Sequence, residues 1–237
     1  MDLSSSISPA TEELLVRPVW SSLTGANASL AQGGLRALRY HPEVAPFAAI
    51  TDETAESFDA LAALIARGER AALVGPNALT PSVGFEIERQ ASIVQMVLVS
   101  PATSNPTAGP DHVILGAADV ADMIDLTGRT KPGPFGPRTI EFGQYIGIRV
   151  GGALAAMAGE RMRFDRFIEI SAVCVDPAHR GKGYAALLMM RLARQMQESG
   201  LTPFLHVFAD NLGAIALYEK LGFRRRSTMQ LTVLLRR

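Results

Sequence analysis

The stretch Arg180-Gly181-Lys182-Gly183-Tyr184-Ala185 constrains this chain more than any other. An apolar, strand-like run, Ile168 to Val175, precedes it, and a helix-like run, Ala186 to Glu198, follows. A strand, a glycine-rich turn and a helix start make a cradle for an anion. The first N–H groups of a helix have no intrahelical partner, and the helix dipole adds partial positive charge there. Glycine lets the backbone approach a phosphate with no Cβ in between. The segment therefore predicts binding of a phosphate-bearing ligand.

Two patterns fit the loop. Gly181, Gly183 and Ala186 match the G-x-G-x-x-G/A fingerprint of a dinucleotide fold, and Asp210 ends a later apolar run about where a ribose-binding acid would stand. Arg180, Gly183 and Ala185 match R/Q-x-x-G-x-G/A, the loop of acyl-coenzyme A transferases. Spacing decides between them. The first fingerprint glycine should follow its strand almost directly, but Asp176 to Arg180 intervene here. Upstream, Gln144 to Val150 and Ala153 to Met162 flank Gly151-Gly152. Two short strands across a Gly-Gly pair predict a hairpin, so this part of the sheet is antiparallel rather than built from βαβ units.

On these residues, the segment from about Val113 to the C-terminus resembles the GCN5-related N-acetyltransferase (GNAT) superfamily. More narrowly it resembles the FR47-like branch, which includes glycine N-acyltransferase-like domains. The matching segments are Glu169 to Pro177, Arg180 to Ala185, Asp210-Asn211 and Leu217 to Phe223, in that order. They span a little over half the chain, and the first hundred residues carry no comparable motif. The resemblance implies an α/β (α+β) fold, with a mixed, mostly antiparallel twisted sheet flanked by helices. It divides the chain into an αβ N-terminal region, residues 1–105, and an acetyltransferase domain, residues 106–237. The N-terminal region is a candidate degenerate GNAT-like half.

The resemblance also implies a donor, acetyl-CoA, and a set of roles. Backbone N–H groups of Arg180, Gly181, Lys182, Gly183, Tyr184 and Ala185 would hold the pyrophosphate, with the Arg180 and Lys182 side chains adding charge-assisted contacts. The backbone of Val173, Cys174 and Val175 would pair with the pantetheine arm as an added strand does. Asn211 would contact the same arm. Asn211 and Tyr218 are two helical turns apart and share a face, with Asn211 also suited to cap the helix. Tyr218 would face the thioester sulfur as general acid.

Glu169 is the candidate general base, because relatives place a glutamate at the matching position. Strand alternation puts Glu169, Ser171, Val173 and Val175 on one face and Cys174 on the other. Apolar neighbours are expected to raise the Glu169 pKa toward neutrality. The competing reading of Glu169 is a solvated or salt-bridged side chain. Cys174 reads as a core thiol rather than a nucleophile, and His206 as a strand histidine satisfied by hydrogen bonds. Neither has partners at metal spacing, so no metal is expected. The loop Thr130 to Arg138 is the candidate acceptor cover, with Phe135 and Arg138 as contacts and Arg138 suited to an acceptor carboxylate.

Composition narrows the partners. Acids and bases balance at 23 each, which gives no bulk electrostatic case for nucleic acid or an anionic membrane. A single cysteine excludes an intrachain disulfide and suits a reducing cytoplasm. Met1 to Leu15 lacks the pattern of a signal peptide, and no apolar run reaches membrane-spanning length. The expected acceptor is a small-molecule amine or amino acid, with monomer and homodimer both open. The rival readings are a protein N-terminal or lysine acetyltransferase and an inactive CoA-binding regulatory protein.

Elements in the N-terminal region are expected at Trp20 to Gln32 (helix), Phe47 to Ile50 (strand), Glu53 to Arg67 (helix), Ala71 to Gly75 and Ser92 to Val99 (strands). Ser100 to Asp111 reads as a linker and Ala117 to Thr127 as a helix. Phe204 to Ala209 reads as a strand, Asn211 to Leu221 as a helix, and Phe223 to Leu235 as an antiparallel pair.

Overall fold

The computed structural model describes residues 9–102 and 109–237. The start of the segment read for a leader, and the middle of the linker, lie outside the described residues. Two helices, α1 (Pro9–Val16) and α2 (Pro18–Thr24), lead into a three-stranded antiparallel sheet of β1 (Ala31–Gly33), β2 (Ala37–Tyr40) and β3 (Ala48–Ile50). The helix expected over Trp20 to Gln32 therefore stops early. Its C-terminal end is a 3-10 turn, Ala28–Leu30, followed by β1.

Helix α3 (Ala55–Leu64) follows, with the Thr54 hydroxyl accepting from the Ser57 N–H at its start and Phe58 and Leu61 buried. Then come β4 (Arg70–Gly75), β5 (Phe85–Leu98), β6 (Val113–Leu115) and α4 (Val120–Thr130). The hairpin β7 (Tyr145–Val150) and β8 (Ala153–Phe164) turns through Gly151 and Gly152 at φ 58° and 86°. Two successive positive φ values are what a tight I′ turn requires, and glycine supplies them without steric cost. The chain ends with β9 (Phe167–Val175), α5 (Tyr184–Glu198), β10 (Thr202–Phe208), α6 (Leu212–Lys220) and β11 (Phe223–Arg236).

Eight strands form one sheet in the order β4-β11-β5-β10-β9-β8-β7-β6. Among the described strand pairs of this sheet, only β9–β10 is parallel. The sheet runs across the boundary at residues 105 and 106, because β5 lies between β10 and β11. The expected terminal pair in Phe223 to Leu235 is instead one long strand. Its pairing partners are β4 and β5, and the turn chemistry a hairpin needs is missing from Arg224 to Gln230.

Helix α5 packs one face of the sheet, with Leu188 and Leu192 against Ile146, Ile148, Ala156, Ile168 and Ile170. Helices α1, α2 and α4 pack the other, where Leu15, Val19 and Leu23 meet Phe164, Phe167 and Phe204.

Two features shape the middle of this sheet. The parallel pairing of β9 with β10 covers only Phe167 to Glu169 against Thr202 to Phe204. Beyond it the strands separate while each keeps its outer neighbour. In addition, Ser171 pairs with Gly159 and Cys174 with Met157, so β9 spends one extra residue there. Ala172, inside this bulge, has φ 53°. The bulge reverses the alternation. Ile168 and Ile170 before it, and Val173 and Val175 after it, all join the α5 side, while Cys174 joins the α4 side. The expectation that Cys174 opposes Glu169 fails for this reason.

The closest approach in the sheet is at Gly159, where a Cβ would come 2.1 Å from the ring of buried Tyr145. Gly159→Ala is expected to lower stability by about 1–3 kcal/mol through overpacking. Gly128→Ala, in the interior of α4 with open space around it, is expected to raise stability by about 0.5–1 kcal/mol. Urea unfolding midpoints of the two variants check both signs.

Candidate active site

The separation of β9 and β10 opens a cavity of about 610 Å³ that draws its lining from both faces of the sheet. On the α5 side it is lined by Val173, Val175, Val207, Leu217 and Tyr218, together with Arg180, Gly181, Gly183, Tyr184 and Ala185. On the other side it is lined by Phe47, Val74, Arg161, Met162 and Leu231, with Ile93, His206 and residues 130–134. Phe47, Val74 and Ile93 come from the N-terminal region.

The glycine loop forms as a consequence of local chemistry. The Asp176 carboxylate accepts from the Ala178 N–H and caps a 3-10 turn, Pro177–His179. Arg129 of α4 pairs with the same carboxylate. Gly181 and Gly183 both sit at φ 78°, and a Cβ on either would meet no protein atom within 4 Å. Gly183 caps α5, whose first bond runs from the Leu187 N–H to the Gly183 carbonyl, 3.0 Å. Among the described residues, the N–H groups of Gly181 to Ala185 make no hydrogen bond within the chain. They form an unpaired row of donors at a helix N-terminus. Lys182 lies 3.0 Å from His179 Nδ1, and the His179 ring stacks with Tyr184.

Past Glu169, the edge of β9 that faces β10 has no strand partner among the described residues, and Val173, Cys174 and Val175 line the cavity there, with Cys174 and Val175 paired to β8 on the opposite edge. Asn211 lines the same space while its side chain accepts from the Ala214 N–H and caps α6. Tyr218 lies on α6 beside Phe223, with its hydroxyl making no hydrogen bond among the described residues. Burial pushes its pKa up, so it stays protonated at neutral pH. The Cys174 thiol is pushed up to about 11, mainly by burial, and is therefore a poor nucleophile.

Glu169 is where the sequence expectation and the geometry part. It is 0% exposed and does not line the cavity. Arg161 Nε and Nη2 each donate to it at 2.6 Å, and His206 Nδ1 lies 2.7 Å from Oε1. Burial alone would raise its pKa, but Arg161 and then His206 outweigh that and hold it well below the usual carboxylate range. The expected upward shift is therefore corrected. Apolar neighbours were legible around Glu169 in sequence, whereas the cation across the β8–β9 hairpin was not.

Hydrogen bonds also fix the His206 tautomer. Gln95 Nε2 donates to the Leu15 carbonyl at 2.9 Å, and Gln95 Oε1 accepts from Arg226 at 3.1 Å. With the amide oriented this way, Nε2 presents a hydrogen to His206 Nε2, 3.0 Å away. The imidazole proton then sits on Nδ1 and points at Glu169. His206 is satisfied by hydrogen bonds, as expected, but it also lines the cavity, which the sequence did not signal.

Arg161 carries the other missed role. It sits in β8 between Glu160 and Met162, with a second arginine at Arg163, so nothing in the local sequence marks it. Residues 130–134 of the expected acceptor loop do line the cavity. Phe135 instead packs edge-on against Tyr145, and Arg138 is paired with Glu141 outside the cavity. Among the described residues no cluster of His, Cys, Asp or Glu could hold a metal, and no helix is long and apolar enough to cross a membrane.

Comparison with known proteins agrees with this geometry. A model of the acetyltransferase (GNAT) family matches residues 125–223. A crystal structure of a GNAT-family protein from Novosphingobium aromaticivorans is 39% identical, with a TM-score of 0.87 over 94% of this chain and 98% of that one. The N-alpha-acetyltransferase RimI of Mycobacterium tuberculosis is 38% identical over 133 residues, which is 50% of this chain and 83% of the relative. A mycothiol acetyltransferase of Catenulispora acidiphila is 43% identical over 60 residues, 25% of this chain and 19% of the relative. With the splayed strands, the donor row and these matches together, the chain belongs to the GNAT family of N-acetyltransferases.

Proposed function

We propose that this acetyltransferase moves the acetyl group of acetyl-CoA to the primary amine of a small molecule by direct attack. The observation that carries the reading is one continuous cavity that joins an unpaired strand edge, an N–H-rich helix start and the Tyr218 hydroxyl. The loop N–H groups would take the pyrophosphate, and the β9 edge would pair with the pantetheine arm. The amine lone pair attacks the thioester carbonyl carbon, the C–S bond breaks, the leaving sulfur takes the Tyr218 proton, and the proton shed by the attacking nitrogen passes through solvent and restores the Tyr218 hydroxyl. No covalent enzyme intermediate is needed.

In this reading Glu169 is a positioning residue. Its carboxylate holds Arg161 and His206 in place at the cavity, and the amine arrives as free base from solution. The wider reading, a protein N-terminal acceptor, draws support from the likeness to RimI. Thermal stabilisation of the protein by acetyl-CoA tests the donor, and thiol release on a panel of small amines tests the transfer. Stabilisation without thiol release from any amine contradicts the reading.

Tyr218→Phe is expected to lower kcat by about 10²- to 10⁴-fold while leaving the KM for acetyl-CoA within a few-fold. An unchanged kcat removes Tyr218 as the acid.

Glu169→Gln is expected to lower stability by about 3–5 kcal/mol, because it strands a buried guanidinium. The pH dependence has a defined sign. The folded pKa of Glu169 is depressed, so its contribution is full above the unfolded value, about 4.3, and is lost as pH falls through the folded value. Between pH 6 and 9 Glu169 does not titrate. The rise of kcat/KM with pH is then expected to follow the pKa of the acceptor amine. A full-strength fold combined with a lost alkaline rise in Glu169→Gln would instead make Glu169 the base.

A further inference from the structure

We propose that Arg161 binds a carboxylate on the acceptor, and that the acceptor is an amino acid with an apolar side chain. The inference rests on the acetyltransferase reading above and names the substrate class of that site.

The first argument is charge. Among the described residues no aspartate or glutamate lines the cavity, whereas Lys131 and Arg180 do, as does Arg161 with the buried Glu169 carboxylate behind it. Arg180 belongs to the glycine loop at the donor end. An amine that is cationic in solution gains nothing from such a lining, and a polyamine or a lysine-rich peptide is repelled by it. An amine that carries its own carboxylate escapes this repulsion, and the lining then favours it.

The second argument is the hydrogen-bond inventory of Arg161. Its Nε and Nη2 are spent on Glu169, at 2.6 Å each. Nη1 has no protein partner among the described residues, yet it is not a buried unsatisfied atom. It is therefore open to the cavity that Arg161 lines. The Glu169 fork holds the guanidinium plane, and the Phe47 ring lies 4.9 Å below its carbon. A donor held in this way, on a side chain only 12% exposed, is pre-organised for a carboxylate oxygen.

The third argument is the rest of that end. Phe47, Val74, Ile93, Met162 and Leu231 surround the guanidinium side of the cavity with apolar surface. An apolar side chain would gain burial there. A peptide N-terminus fits less well, because its first carboxyl group is tied up as an amide and has no charge to offer Nη1.

The test uses the full chain with saturating acetyl-CoA and measures thiol release with L-leucine, L-leucinamide and isopentylamine. Rates are expressed per free-base amine, which removes the differences in the fraction of each amine that is deprotonated. The proposal expects kcat/KM for leucine to exceed both others by at least about tenfold, the scale of one charged hydrogen bond. Arg161→Lys keeps a cation opposite Glu169 but loses Nη1. It is expected to erase most of that preference with the KM for acetyl-CoA unchanged, in a sample whose melting curve shows a folded protein. Equal or better turnover of leucinamide or isopentylamine overturns the proposal and leaves the acetyltransferase reading intact. Silence with all three amines also overturns it, and acetyl-CoA stabilisation of the same sample then reports separately on the donor site.

Discussion

A buried carboxylate stands where the sheet divides. Glu169 is the last residue of β9 paired to β10, and its oxygens are held by Arg161 from β8 and His206 from β10. Each group would be costly to bury alone, and together they satisfy one another. The cluster ties three neighbouring strands at the apex of the split. Beyond it, the bulge at Ala172 turns Val173 and Val175 toward the α5 side, where the row of loop N–H groups begins. The cavity, the open edge of β9 and the row of loop N–H groups all take their places from this point.

The N-terminal region is part of that architecture. Its β4 and β5 are built into the central sheet, and Phe47, Val74 and Ile93 wall the end of the cavity beyond Arg161. Gln95, from β5, reaches His206 and fixes its tautomer. A region without a recognisable motif thus walls one end of the cavity, while the region with the motifs supplies the glycine loop and the open edge of β9.

How much was legible in sequence follows from the range of the forces involved. The glycine loop, the Gly151-Gly152 hairpin, α5 and the Asn211 cap are set by neighbours within a few residues, and they stood out. The open edge of β9 was legible only through family resemblance, which implied that Val173 to Val175 pair with a pantetheine arm. The Arg161–Glu169 pair joins residues eight apart across a hairpin, and the His206 contact joins residues 37 apart. Neither pairing follows from local pattern, so the Glu169 pKa was expected in the wrong direction. The strand alternation argument for Cys174 failed at one bulge, because a single extra residue reverses every side chain after it. Likewise β11 was read as two strands because its partners, β4 and β5, lie more than a hundred residues upstream.

The central claim is that acetyl-CoA lies in the split between β9 and β10 with its phosphates on the loop. Amide hydrogen exchange, measured with and without CoA, tests this most directly. The account predicts slowed exchange in two segments, residues 171–176 and 181–186, with little change in β7 or α3. Protection confined to other segments, or none at saturating CoA, would contradict it.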